Sequence, residues 1–302
     1  MLFKNLFISL IASCIFVSVY GQDQYSYRGF NSPVSVTQYG GYYYLSNSGN
    51  NFGTAIKDGD GYISRIKSDG SQDEPTMKYI TDLNNPRGIY AIQGVLYICD
   101  VDCLVGIDLR TQAKVFELSF AKENVSQLTS ITSVDDKIVY ISATDVHTIF
   151  EVNISTKKYS KWTEITAPAG MLISNNQMYV CSMGTDSLLN GKLGVINMKN
   201  RKFTQLIDDE GMFWGLALNG KRLYYSDWML DKERSYHTKR GVVKFIDLDT
   251  KATGQVKFTS KIGGPADFIY DARNDLFLIP AVLEGVVFGC LGFKNSVEAT
   301  TY

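Results

Sequence analysis

The sequence predicts an all-β protein, a six-bladed β-propeller built from four-stranded blades, and three observations carry that expectation. One short pattern recurs six times along the 302 residues. A further pair of strand-like segments follows the copies, and nowhere does a 3.6-residue apolar period run long enough for a helix. Composition agrees: aromatic residues make up 13% and Gly numbers 26 against 6 Pro, a balance that favours pleated, turn-punctuated structure.

The chain opens on Lys4 and an apolar run, Leu6–Val19, closing at Tyr20-Gly21 before the polar Gln-Asp-Gln. This order of charge, apolar stretch and small residue is that of a cleaved secretory signal, residues 1–21, leaving 22–302 as one propeller domain. Ile11-Ala-Ser-Cys14 also fits a lipoprotein box, although the apolar run continues past Cys14 where a lipidated chain turns polar. A retained anchor is the third option. No later run is long enough to span a bilayer. The expected location is secreted or periplasmic.

The repeat begins with SPVSVTQYGGYYYLSN from Ser32 and continues with NPRGIYAIQGVLYICD from Asn85 and LTSITSVDDKIVYISA from Leu128. It returns as APAGMLISNNQMYVCS from Ala167, MFWGLALNGKRLYYSD from Met212 and GPADFIYDARNDLFLIP from Gly264. Each copy is a turn, an apolar strand, a second turn, and an apolar–aromatic–apolar run ending in a small or acidic residue. Tyr44, Tyr97, Tyr140, Tyr179, Tyr224 and Phe277 mark equivalent positions, roughly 40 to 53 residues apart, close to the period of propeller blades. GYISRIKSDG, LVGIDLRTQAKVFEL, TIFEVNISTKKYSKW, KLGVINMKNRKFTQL and GVVKFIDLDTKATGQVKF supply the outer strands of the first five units. The sixth unit is one strand short, and the alternating segment 24–30, QYSYRGF, is expected to complete it and close the ring.

With a net charge of −1 and a pI near 6.2, nothing points to a nucleic-acid or anionic-membrane partner, and none is expected. Export implies an oxidising compartment, and Cys99 and Cys103 flank Asp-Val-Asp, where a tight turn would let them bridge; free thiols are the equal alternative. Lys57–Ser64, KDGDGYIS, imitates a calcium loop. As an EF-hand it would place Ile56 at the first ligand position and Lys67 at the twelfth, where carboxylates are required, so it is expected to be a turn into a strand. Neither His147 nor His237 sits in a nucleophile–base arrangement, and GxSxG, HExxH and phosphate-loop motifs are absent. No catalytic residue is assigned.

Several segments together resemble the SMP-30/gluconolactonase/LRE-like family: Pro33-Val-Ser-Val with YYLSN, then DGDGYIS from Asp58, PRGI from Pro86 with LYICD, and PADFIYD from Pro265 with LFLIP. The resemblance implies a six-bladed propeller with a divalent metal at the channel mouth, held by a Glu, two Asn and an Asp, that polarises a lactone carbonyl. Carried over position by position, those ligands fall on Val34, on Thr129 with Ser130, on Ala169 and on Trp214. Hard cations need oxygen donors, which Val, Ala and Trp lack. No metal or other cofactor is therefore expected.

In a propeller the starts of the first strands converge at one mouth of the channel. The candidate ligand-binding residues there are Arg87, Ser130, Trp214 and Asp267, with Trp228 beside them: a fork-shaped donor for carboxylates, flat apolar faces and small polar groups. Strand-end aspartates Asp100, Asp102, Asp145, Asp186 and Asp227 are expected to cap turns. The sequence thus points to an exported, non-catalytic propeller, a pseudoenzyme binding a small organic ligand or an extracellular protein through its mouth and the insert 229–241. The alternatives are a divergent lactonase- or esterase-like hydrolase, using calcium or another divalent metal relocated to those aspartates, and an extracellular structural or interaction module.

Overall fold

Each repeat forms one blade, and the six blades form a ring. The structure, a computed structural model, describes residues 16–20, 23–53, 55–185, 189–230, 241–291 and 298–300. Blade 1 consists of Pro33–Tyr39, Tyr42–Asn47, Gly61–Lys67 and Thr76–Leu83. Blade 2 runs Pro86–Ile92, Val95–Asp100, Cys103–Asp108 and Lys114–Ser119. Blade 3 is Leu128–Ser133, Ile138–Ala143, Thr148–Asn153 and Lys158–Glu164. Blade 4 follows with Pro168–Ser174, Gln177–Ser182, Leu193–Asn197 and Phe203–Gln205. Blade 5 has Phe213–Asn219, Arg222–Asp227, Val242–Asp247 and Thr253–Lys257. Its outer strand also pairs in parallel with Phe16–Tyr20, which in turn pairs with Glu298–Thr300.

Blade 6 combines both ends of the chain. Ile269–Asp271, Leu276–Ala281 and Val286–Leu291 are joined by Asp23–Arg28, antiparallel to Val286–Leu291 with Tyr25 opposite Gly289. The N-terminal strand thus completes the ring and covers an edge that would otherwise stay open.

The core lies between blades rather than within any one of them, as alternation dictates: one face of each sheet must bury itself against its neighbour. Tyr44 and Ile63 of blade 1 pack with Ile89 and Ile98 of blade 2, and Ala217 and Tyr224 of blade 5 with Phe277 and Ile279 of blade 6. Near the axis the first strands approach backbone to backbone. A Cβ on Gly215 would lie 2.3 Å from the Ala266 carbonyl oxygen, so no larger residue fits that crossing.

The small residue that ends each inner aromatic run has a specific task. Ser226 Oγ accepts the Gly215 N–H at 2.7 Å within its blade and donates to the Ala266 carbonyl of the next at 3.1 Å. Ser46 repeats this with Ser35 and Arg87, and Ser142 with Ser130 and Ala169. In the alternate blades a thiol substitutes: Cys181 Sγ donates to the Trp214 carbonyl at 3.1 Å and Cys99 Sγ to that of Ser130 at 3.8 Å. The Asp267 N–H, donated to the Val34 carbonyl at 2.9 Å, closes the circle. Ser226→Ala strands a buried donor and acceptor and should cost about 1–3 kcal/mol. Ser226→Cys, which copies the neighbouring blade, should cost less. Urea denaturation midpoints of the two variants measure the difference.

The calcium-like stretch leads from loop into the strand Gly61–Lys67. Asp58 accepts from Asn51 Nδ2 at 2.7 Å, and Asp60 from the backbone N–H and side chain of Asn50, so the carboxylates tie the two ends of one connection together. The bridge between Cys99 and Cys103 does not form; both thiols are free. Cys99 lies opposite Leu104 and Cys103 opposite Asp100, which sends the two side chains to opposite faces of the sheet.

Candidate functional site

Five of the six first strands carry a register irregularity at their mouth end, between Pro33 and Ser35, Pro86 and Ile89, Leu128 and Ser130, Pro168 and Met171, and Phe213 and Leu216. Such bulges turn a side chain out of the ladder. Here they fall on Val34, Arg87, Thr129, Ala169 and Trp214, the equivalent mouth positions.

Val34, Ala169, Trp214 and Ala266 meet in one buried apolar cluster on the axis. Thr129 is buried with its hydroxyl 2.5 Å from that of Thr144. The residues at the positions that the family resemblance would give to a divalent cation do not fit one, because Val34, Ala169 and Trp214 offer no side-chain oxygen. Among the described residues no group of three His, Cys, Asp or Glu could hold a metal. The strand-end aspartates serve their own turns or neighbouring lysines. Asp100 accepts the Asn84 and Asn85 N–H groups, Asp102 pairs with Lys57, Asp145 accepts from Ser126, and Asp227 accepts from Met229 and Lys244. Asp186, His237 and most of the insert 229–241 lie outside the described residues.

Above the apolar plug opens a cavity of about 750 Å³, within the range of small-molecule sites. Its floor is aromatic. Trp214 and Trp228 stack with centroids 5.3 Å apart and planes 14° from parallel, and Phe52 lies 6.2 Å from Trp228 at 21°. Trp228 is held in place by its Nε1–H, which donates to the Pro265 carbonyl at 2.9 Å. Ser48 Oγ and Thr144 Oγ1 make the corresponding bonds to Pro86 and Pro168 in two other blades. Met183, Met212 and Leu283 add flexible apolar wall, while Gln127, Asp145 and His147 stand among the polar lining. His147 Nδ1 accepts the Ala167 N–H at 3.1 Å, so a neutral ring carries its proton on Nε2.

Arg87 enters this cavity 3% exposed. Its Nε reaches Asn85 Oδ1 at 3.4 Å, its Nη1 has no hydrogen-bond partner, and among the described residues no carboxylate touches it. The guanidinium lies 5.6 Å from the Phe52 ring centre and 5.8 Å from that of Trp214, within cation–π range. Burial pulls its pKa down to about 10, against a raising influence from Asp145, so it stays charged at neutral pH.

Arg87, Trp214 and Trp228 therefore come together as the sequence predicts. Ser130 and Asp267 do not line the cavity. Each follows the mouth residue of its strand by one position: Ser130 N–H bonds Ser142 Oγ, and the Asp267 carboxylate accepts from Ser35 Oγ at 2.8 Å. Asp267 keeps some accessible surface, yet burial among the blades pushes its pKa up to about 7 despite the Ser35 and Leu216 donors. Phe52 went unforeseen; an aromatic in an Asn- and Gly-rich loop was the available signal.

Fold and mouth together define a six-bladed β-propeller whose axis is plugged by apolar residues beneath an aromatic, arginine-bearing cavity. No protein-family model matches the chain, and no curated protein matches it in sequence. Among solved structures it resembles a chain of hydrazine synthase from Kuenenia stuttgartiensis, with a TM-score of 0.57 over 84% of this chain and 75% of that one, at 11% identity. At that identity the likeness shows the propeller fold alone.

Proposed function

We propose that this chain is an exported β-propeller of SMP-30-like ancestry that binds a small organic molecule at the channel mouth and has left the metal-dependent hydrolase chemistry of that family behind. The observation that carries this reading is the cavity itself. It is concave and lined by Phe52, Trp214 and Trp228 together with Arg87, Gln127 and His147, an apolar lining with a few polar groups, which is how small-molecule sites are made. A plugged mouth with an apolar outer face would have favoured a protein partner instead.

Export follows from the N-terminal segment. A cut after Gly21 leaves the ring-closing strand from Asp23 intact, so maturation and closure are compatible. It also removes the Phe16–Tyr20 strand from the edge of blade 5. Loss of the metal chemistry is supported by the apolar side chains at Val34, Ala169 and Trp214. The test is a tryptophan-emission titration with small organic ligands in the presence of a chelator. Two of the three tryptophans, Trp214 and Trp228, line the cavity and report on its occupancy.

A further inference from the structure

We infer that the mouth cavity selects a small organic carboxylate with a planar apolar body, its carboxylate received by Arg87 and its body laid against Phe52 at the edge of the buried Trp214–Trp228 stack. The inference rests on the reading of the mouth as a ligand site and adds the chemical class of the ligand.

Arg87, only 3% exposed, pays a desolvation penalty for its charge, normally repaid by a carboxylate in contact. Among the described residues it has none. Its Nε contact with Asn85 is long at 3.4 Å, and Nη1 has no partner. Asp145, whose charge Arg87 feels, is an exposed residue whose Oδ2 is engaged by the Ser126 N–H at 2.6 Å and hydroxyl at 2.8 Å. Its field favours the cation without satisfying the fork.

A second donor is stranded beside the first. Trp214 Nε1 is buried without a partner, and the same residue's ring lies in cation–π range of Arg87. Two unanswered donors, one of them charged, call for an anionic acceptor. A carboxylate offers two oxygens in the geometry that a guanidinium fork matches. A neutral carbonyl could occupy one donor and would leave the charge uncompensated.

The rest of the ligand is set by the floor. Phe52, half-buried at the edge of the Trp214–Trp228 stack and within 32° of both indoles, offers the cavity aromatic surface, which favours a planar ring over a polyhydroxylated chain. The methionines at the wall, Met183 and Met212, adjust to differing outlines, so selection falls on the carboxylate and the flat body more than on one precise shape.

The test is calorimetric titration of the mature chain, residues 22–302, with matched pairs: cinnamate against cinnamamide, phenylacetate against phenylacetamide, 4-hydroxybenzoate against 4-hydroxybenzamide. At least one carboxylate is expected to bind tenfold or more tightly than its amide. Arg87→Met should erase that preference while raising the melting temperature, since it replaces an uncompensated buried charge by an apolar side chain of similar length. Arg87→Lys should keep part of the preference, because it retains charge and loses the fork. Equal binding of acid and amide, or a preference that survives Arg87→Met, overturns the carboxylate assignment and leaves the mouth as a ligand site. Absence of binding by every member of the panel overturns both.

Discussion

Trp214→Ala should cost about 3–5 kcal/mol of folding stability, the largest loss expected from any single truncation at the mouth. Trp214 stands where the family resemblance places a metal-binding Asp, and it has been drawn into the core instead. It is 2% exposed, packs with Val34, Ala169 and Ala266 from three other blades, and stacks on Trp228 at 5.3 Å. Truncation therefore opens a void at the one point where several blades meet, and the surrounding backbones are already in contact and cannot close on it. One small gain offsets the loss, since the unpartnered indole N–H disappears. Trp214→Phe keeps the stack and should lose much less. Chemical denaturation of the three proteins decides the matter: a cost below about 1 kcal/mol for Trp214→Ala would mean that the ring only lines the mouth and plugs nothing.

Asp267→Asn is expected to stabilise the protein at neutral pH, on the order of 2 kcal/mol, and to flatten its pH dependence. The pKa of Asp267 is pushed up to about 7 in the fold from the ordinary 3.8, chiefly because burial disfavours its charge. The folded state therefore holds this proton more tightly than the unfolded chain does. Stability from this site is complete below pH 4 and falls as pH rises toward 7, the window bounded by the two values. Asn cannot ionise, and its carbonyl still accepts from Ser35. Asp100, also raised by burial, contributes to the same slope in both proteins, so the difference between the two curves isolates Asp267. Denaturation midpoints from pH 4 to 8 measure it, and parallel curves would contradict the assignment.

The propeller was legible because its signals are local. Strand alternation, turn residues and the aromatic at Tyr44, Tyr97, Tyr140, Tyr179, Tyr224 and Phe277 repeat within each unit, and the short sixth unit directed attention to the segment around Asp23–Arg28. The inter-blade clasp was visible only as a small residue at the strand end. Its meaning depends on a carbonyl in the following blade, some forty residues away for Ser226 and Ala266. At the mouth, Arg87, Trp214 and Trp228 could be placed because equivalent positions converge on the axis. Ser130 and Asp267 missed by one residue: in blade 3 the bulge re-aims Thr129 and Ser130 falls back into the ladder, while Asp267, ahead of the strand Ile269–Asp271, gives its carboxylate to Ser35 of blade 1. Phe52 reaches the cavity from the connection between the second and third strands of blade 1, whose sequence differs from that of the equivalent connections in blades 4 and 5, so periodicity carried no information about it. Cys99 and Cys103 looked bridgeable by spacing, and only the register shows them on opposite faces.

The most direct measurement is the tryptophan-emission titration of residues 22–302 with planar organic ligands in excess chelator. Trp214 and Trp228 are stacked in the cavity floor, while Trp162 is buried beside Tyr140 in the outer strand of blade 3 and serves as a constant background. A binding protein that needs no metal should give a saturable change in emission with one ligand per chain, unaltered by the chelator and lost in Trp214→Phe/Trp228→Phe. Emission that stays flat across the ligands, or that responds only when Ca²⁺, Mn²⁺ or Zn²⁺ is restored, would contradict the account.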